Sequence, residues 1–309
     1  MDFLISGTHI NPLNLIIVGF IIGICGGFFG VGGSFLAGPA LFTFGVPMNF
    51  VVGTDLAHIV GKSIVAAKKH RALGNVDIKL GLIMATATIL GVETGAQIIQ
   101  NLKRHKSVDL VVAIAFIIVL VGISIFIAWE SWQTLKMGKK GSAPASQPKG
   151  KPKQDHSAIG HIAKSFQRFH LPPMISLPNS GIERISLWTI LVVAYIGGVF
   201  SGFLGGGAGY IRMPALVYIL GVPTHVAVGT DLFEIVISAS YGTFSHAIKG
   251  NVDILIALVM HTGAAIGAQI GATLTQYFHG VRIRLAFVPL PLLGAGLIIY
   301  SLVTGHHFK

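Results

Sequence analysis

The chain has 309 residues, of which 11% are charged and 52% are apolar, and its formal net charge is +11 at pH 7. Soluble domains carry roughly 25% charged residues, so this composition excludes a water-soluble globule. Cys25 is the only cysteine, which excludes an intrachain disulfide and a thiolate metal cluster. We therefore expect a polytopic membrane protein in a lipid bilayer, with no cofactor and no metal. The basic residues lie between apolar runs, as the positive-inside rule requires, so no nucleic-acid partner is expected.

Long apolar segments recur along the chain, and a helix needs about 20 such residues to cross a bilayer. Residues 3–54 contain no Asp, Glu, Lys or Arg, and the same holds for 110–128, 185–211, 254–278 and 285–305. In the first half the apolar segments are expected at about 13–29, 34–45, 50–68, 79–100 and 108–129. The N-terminus has neither a basic region nor a cleavage motif, so a cleaved signal peptide is not expected.

Residues 131–186 differ from the rest of the chain. Residues 130–186 contain nine Lys/Arg against three Asp/Glu, and the part near 136–155 is rich in Lys, Pro, Gly and Ser. This composition predicts a flexible linker, and the positive-inside rule places it in the cytoplasm with the N-terminus outside. Apolar residues recur at helical spacing over 159–169. Two interpretations stay open for them, an amphipathic helix on the inner leaflet and a solvated loop.

The two sides of the linker repeat one another. Residues 27–47 match 202–223 with a single one-residue gap, VVGTDL at 51–56 matches AVGTDL at 227–232, and GNVD recurs at 74–77 and 250–253. This indicates a duplication, with repeats at 1–130 and 187–309. Five segments per repeat is an odd number, so the second repeat is expected to be inverted. The predicted fold is all-α, with two inverted-topology repeats and half-helices broken by Gly and Pro. Asp77 and Asp253 are predicted to cap the following helices.

Glycine clusters interrupt the first apolar segments of both repeats. Inverted repeats with broken helices are typical of secondary transporters, whose substrate sites lie at the breaks. Backbone N–H groups that start a half-helix suit an anion, and an Arg beside them can hold an oxyanion bidentately. Close helix packing is the alternative interpretation of the glycines. The substrate-binding candidates are Gly30, Gly32, Gly33, Thr54, Gly205, Gly206, Gly207, Arg212 and Thr230.

Ionisable side chains inside apolar segments form the second candidate set, because charge inside a membrane is costly and usually functional. Asp55 and Asp231 occupy equivalent GTD motifs. The spacing of Asp55, His58 and Lys62 puts them on one helical face. Two roles stay open for the set, proton coupling and structural charge pairing. Its members are Asp55, His58, Lys62, Glu93, Asp231 and Glu234.

The ordered, duplicated motifs resemble the sulfite exporter TauE/SafE family. They are a glycine cluster, Pro-Ala-Leu, Gly-Val-Pro, Val-Gly-Thr and Gly-Asn-Val-Asp. The resemblance covers both repeats and implies an inner-membrane permease for sulfur-containing anions such as sulfite or sulfoacetate. Many relatives are expected to carry Ser where this chain has Asp55 and Asp231, which favours a proton role.

The expected function is therefore export of a small sulfur-containing anion by a proton-coupled secondary transporter, with alternating access at a midplane site between the repeats. A passive channel for the same anions and a permease for another small organic anion are the alternatives. The chain has no HExxH or GxSxG motif, and no enzyme activity is expected. The expected location is the inner (plasma) membrane, and a homo-oligomer is left open.

Overall fold

The computed structural model of the protein describes residues 1–138, 171–278 and 280–305. The first half contains the helices α1 (Pro12–Phe29), α2 (Ser34–Thr43), α3 (Met48–Ala72), α4 (Ile78–Arg104) and α5 (Val108–Gly138). The second half contains α6 (Leu187–Leu204), α7 (Gly209–Tyr218), α8 (Thr224–Ile248), α9 (Ile254–Leu274), α10 (Gly280–Phe287) and α11 (Pro289–Thr304). Short antiparallel hairpins precede α1 (β1, Asp2–Phe3, with β2, Thr8–His9) and α6 (β3, Met174–Leu177, with β4, Ile182–Ser186).

The long helices make this a multi-pass membrane protein. Within the described ranges, seven helical spans are long and apolar enough to cross a bilayer. α2 and α7 have only ten residues each, about 15 Å of helix, and are too short to cross alone. α3 and α8 have 25 residues each and pack against one another. This places the two helices that carry the GTD motifs side by side.

The predicted caps of α4 and α9 are confirmed. Asp77 accepts a hydrogen bond from the backbone N–H of Leu80 at 3.1 Å. Asp253 accepts from the N–H groups of Leu255 and Ile256 at 3.2 and 3.3 Å. Both carboxylates thereby satisfy helix N–H groups that have no intrahelical partner.

Glycines let two helix pairs approach closely. α1 packs along α9, and α4 packs along α6. A Cβ on Gly23 of α1 would lie 2.3 Å from the carbonyl oxygen of Ala264. A Cβ on Gly198 of α6 would lie 2.4 Å from the carbonyl oxygen of Thr88. The close-packing interpretation is therefore correct for the glycines inside these helices.

We expect Gly23→Ala to destabilise the protein. The added methyl group meets backbone atoms of α9, which cannot move without displacing the helix, and overpacking of this kind costs about 1–3 kcal/mol. Gly122→Ala in α5 is the matched control, because nothing lies within 4 Å of its Cβ position and Ala is the better helix former. Thermal unfolding in one detergent should show a lower melting temperature for Gly23→Ala only. Equal melting temperatures would contradict the packing argument.

The structure differs from the sequence-based expectation at three places. The described residues are all-helical as predicted, apart from two short hairpins that were not predicted. α5 continues to Gly138, beyond the apolar segment expected at about 108–129. The last segment is two helices that meet at Val288 and Pro289, since Pro has no N–H to continue the helix. The candidate amphipathic helix at 159–169 lies outside the described residues.

Candidate functional site

Both predicted helix breaks are present, between α1 and α2 and between α6 and α7. Each break is made by glycines with positive φ, a conformation that residues with a Cβ rarely adopt. α2 begins immediately after the first break and α7 shortly after the second, and each contains one proline. The glycines that form the breaks are Gly30, Gly32, Gly33, Gly205, Gly206 and Gly207, with φ between 67° and 83°.

The two breaks contact each other in the protein interior. The Ser34 hydroxyl donates to the carbonyl oxygen of Gly206 at 2.9 Å. A Cβ on Gly206 would lie 2.7 Å from Oδ2 of Asp55, and one on Gly209 would lie 2.8 Å from Oδ2 of Asp231. The second break and the start of α7 therefore lie directly against both GTD carboxylates.

The polar face predicted for α3 is confirmed. Asp55, His58 and Lys62 are all buried, and Nδ1 of His58 lies 3.6 Å from Oδ1 of Asp55 and 3.2 Å from Nζ of Lys62. A lysine ammonium can only donate, so Nδ1 accepts from Lys62 when that amine is charged, and Nε2 then carries the ring proton. Within the described part of the chain, that Nε2 and both Asp55 oxygens have no hydrogen-bond partner.

Arg212 lies between two carboxylates of α8. Its Nε donates to Oδ1 of Asp231 at 2.9 Å, and its Nη1 pairs with Oε2 of Glu234. Ser238 also donates to Oε2 of Glu234, at 3.3 Å. All four residues are fully buried. Among the described residues, Nη2 of Arg212, Oδ2 of Asp231 and Oε1 of Glu234 have no hydrogen-bond partner, so the guanidinium keeps donor capacity for a further oxyanion.

Thr54 and Thr230 lie beside these charges but make backbone contacts. The Thr54 hydroxyl oxygen accepts from the N–H of Asp253 at 2.9 Å, and that of Thr230 accepts from the N–H of Asp77 at 2.9 Å. Each threonine thus ties the start of a neighbouring helix to α3 or α8. Contact between these hydroxyls and a substrate stays a prediction.

Glu93 belongs to a separate cluster. It accepts hydrogen bonds from Lys249 at 3.0 Å, Ser245 at 2.6 Å and Tyr241 at 3.1 Å. Its side chain is 33% exposed, unlike the buried charges on α3 and α8. This geometry supports the charge-pairing interpretation of Glu93, and a proton-coupling role stays a prediction.

Three residues at the site were missed from the sequence. Tyr210 is fully buried, and its hydroxyl has no hydrogen-bond partner among the described residues. The ring of His261 in α9 covers Gly61, where a Cβ would lie 2.1 Å from Cε1 of the ring. Gly197 leaves space for the side chain of Arg212, whose Cγ would lie 2.2 Å from a Cβ there. His261 could have been found from the sequence, because it is an ionisable side chain inside an apolar segment. Nothing in the sequence distinguishes Tyr210 or Gly197.

A second buried cluster of charges joins α5, α7, α8 and α10. The Tyr218 hydroxyl donates to Oε2 of Glu130 at 2.7 Å, and Nε of Arg284 lies 3.6 Å from the same oxygen. Nη1 of Arg284 donates to the hydroxyl of Thr224 at 2.6 Å. This cluster could not be predicted from the sequence, because Glu130 and Arg284 lie near segment ends where charges are common.

The fold and these sites define a class of protein: a multi-pass helical membrane protein with compensated charges buried where two helix breaks meet, as in transporters. The profile of the family described as "Sulfite exporter TauE/SafE" matches residues 15–298. The chain therefore belongs to this family of membrane transporters, and it is a transporter and not an enzyme. The resemblance seen in the motifs is thus confirmed.

Relatives of similar length support the same assignment. The chain is 25% identical to "Probable membrane transporter protein YunE" of Bacillus subtilis, over 92% of this chain and 96% of the relative. It is 24% identical to "Probable membrane transporter protein YdhB" of the same organism, over 93% of this chain and 99% of the relative. "Probable membrane transporter protein MJ0441" of Methanocaldococcus jannaschii is 38% identical, but only over 25% of this chain and 31% of the relative. No solved structure shows significant similarity to the chain.

Proposed function

We propose that the protein is a proton-coupled secondary transporter that exports a small sulfur-containing anion, sulfite or an organosulfonate such as sulfoacetate, across the inner membrane. The observation that carries the proposal is Arg212, fully buried between Asp231 and Glu234 beside a glycine break. A buried arginine that keeps an unused donor is suited to a bidentate oxyanion. The description of the family as sulfite exporters supports a sulfur oxyanion as the substrate.

The arrangement of charges explains how a proton and an anion are coupled. Arg212 faces two carboxylates, so an incoming anion meets negative charge as well as the guanidinium. A proton on Asp231 or Glu234 removes one of these negative charges and releases part of the guanidinium for the anion. Because proton binding and anion binding then favour each other, each raises the affinity for the other by the same factor. The proton and the anion then cross in the same direction, and export follows the outward gradient of the anion. Asp55, which lies against Gly206 of the same break, is the second candidate proton site.

Reciprocal contacts between the halves support two inverted repeats, 1–130 and 187–309. The Thr54 hydroxyl of the first half accepts a hydrogen bond from the N–H of Asp253. The Thr230 hydroxyl of the second half accepts one from the N–H of Asp77. Gly53 faces the carbonyl oxygen of Asn251, just as Gly229 faces that of Asn75. Contacts that recur with the halves exchanged are expected from a pseudo-two-fold axis in the membrane plane. Alternating access is then a movement of one repeat against the other.

The inverted arrangement predicts opposite locations for the N-terminus and the linker. In a Cys25→Ala background, single cysteines at Asn11 and at Ser146 should react with an impermeant thiol reagent from opposite sides of the membrane. The positive-inside rule places Ser146 in the cytoplasm. Inside-out and right-side-out vesicles give the two measurements. Labelling of both positions from the same side would rule out the inverted arrangement.

A flux assay tests the proposed function directly. Purified protein in liposomes is tested with sulfite, sulfoacetate, taurine, thiosulfate, sulfate and acetate, with and without an imposed proton gradient. The proposal predicts flux of sulfite or a sulfonate that a proton gradient can drive against the anion gradient and that an uncoupler abolishes. Flux that only follows the anion gradient would indicate the passive channel. Flux of acetate alone would indicate a permease for another organic anion.

A further inference from the structure

Two open grooves flank the last turns of α3 on its outer surface. The larger has a volume of about 470 Å³ and runs between α3 and α9, and the smaller has about 220 Å³ and runs between α3 and α8. Their walls are mostly apolar, and Ile64, which borders both, is 50% exposed. Side chains of this kind on the outside of a membrane helix bundle face lipid chains.

A cluster of three basic residues borders the two grooves. Lys68 borders both of them, Lys69 borders the larger and Arg71 borders the smaller. Lys68 and Arg71 are exposed and Lys69 is half-buried. In the described part of the chain, no carboxylate forms an ion pair with any of the three. Three positive charges that have no ion-pair partner among the described residues therefore border the two apolar grooves.

The second half has no equivalent basic cluster, because the residues that match Lys68, Lys69 and Arg71 are Phe244, Ser245 and Ala247. There Lys249, just after α8, pairs with Glu93 of α4 at 3.0 Å. The residue of α9 equivalent to Glu93 is Gln269, which borders the larger groove and carries no charge. The three positive charges at the end of α3 thus have neither a counterpart in the second half nor a carboxylate partner among the described residues, which leaves them free to bind an anion.

We propose that these grooves are a binding site for one anionic phospholipid. Its phosphate group contacts Lys68, Lys69 and Arg71, and its acyl chains lie in the apolar grooves on either side of α3. Basic pockets between membrane helices recognise anionic headgroups in this way. The site lies on the outside of α3, whereas Asp55, His58 and Lys62 are buried inside, so this inference is independent of the transported anion.

Native mass spectrometry of the full chain in mixed micelles tests the proposal, with phosphatidylglycerol and phosphatidylcholine as the probes. The wild-type protein should retain phosphatidylglycerol in preference to phosphatidylcholine. Each basic residue near an anionic lipid contributes about a fivefold change in affinity. The variant Lys68→Gln, Lys69→Gln, Arg71→Gln should therefore bind phosphatidylglycerol more weakly by on the order of a hundredfold. Its binding of phosphatidylcholine should not change.

Two controls separate headgroup recognition from other effects. Lys79→Gln removes an exposed positive charge outside both grooves, at the start of α4, where it contacts the carbonyl oxygen of Ser176; it should bind like the wild type. Lys68→Arg, Lys69→Arg, Arg71→Lys keeps the charges and should retain the lipid. Unchanged phosphatidylglycerol binding by the glutamine variant would overturn the proposal. It would also be overturned if glycerol phosphate, which has no acyl chain, competed as strongly as the lipid.

Discussion

Replacing Arg212 by Ala is expected to remove high-affinity binding of the transported anion. The lost contact is a charge-assisted hydrogen bond in a buried site, about 1.5–3 kcal/mol, so affinity should fall on the order of tenfold to a hundredfold. Arg212→Lys keeps the charge and loses the planar fork, so its affinity should be intermediate. Equilibrium binding of the anion with the highest flux in the liposome assay measures both.

The single substitution has a second consequence that needs its own control. Removing Arg212 leaves Asp231 and Glu234 as two buried carboxylates without their cation, and breaking a buried ion pair costs about 3–5 kcal/mol. The triple variant Arg212→Met, Asp231→Asn, Glu234→Gln removes all three charges together. Since replacing a whole buried ion pair by neutral residues is often neutral or stabilising, this variant should fold with a melting temperature near that of the wild type.

The triple variant separates an anion site from a structural clamp. If Arg212 binds the anion, the triple variant is stable and does not bind. If Arg212 only holds α7 to α8, the triple variant is stable and binds with wild-type affinity. The second result would refute the proposed role of Arg212, because the loss of binding in Arg212→Ala would then come from destabilisation alone.

Much of the fold could be predicted because the membrane imposes strong rules on the sequence. Apolar length located the spans, and clusters of glycine located the breaks, since only Gly freely adopts the positive-φ conformation that these breaks require. The end of α10 at Phe287 was missed although Pro289 was visible, because a proline at the start of a helix and one inside it look alike in sequence. The short hairpin at 174–186 was missed because Pro172, Pro173 and Pro178 indicate only that a helix is absent.

The site could be predicted only where it depends on helical spacing. The spacing along α3 correctly placed Asp55, His58 and Lys62 on one face. It could not show that Arg212 of α7 reaches both carboxylates of α8, because this depends on how the second break turns the chain. Glu93 looked equivalent to the other buried charges, yet its partners Lys249 and Ser245 lie at the end of α8. Contacts between helices depend on how the helices pack. The spacing of residues along one helix does not reveal that packing.

Asp55→Asn and Asp231→Asn are expected to act differently, although the two residues occupy equivalent motifs. Both oxygens of Asp55 lack a hydrogen-bond partner among the described residues, whereas Oδ1 of Asp231 is paired with Arg212. Asp55→Asn breaks no direct hydrogen bond of the described residues, so its melting temperature should fall less than that of Asp231→Asn. Asp231→Asn weakens a buried ion pair, so its melting temperature should fall.

The transport readout tests whether these carboxylates carry the coupled proton. An asparagine cannot take up a proton, so either variant should lose anion flux driven by a proton gradient while exchange of anion for anion across equal pH continues. Asp109→Asn is the matched control. Asp109 accepts a hydrogen bond from the N–H of Met48 at 2.7 Å, and the side-chain oxygen of an asparagine can accept the same hydrogen bond. Its proton-driven flux should match the wild type. If both Asp55→Asn and Asp231→Asn keep proton-driven flux with unchanged pH dependence, neither residue is a coupling site and the unpaired oxygens of Asp55 serve packing alone.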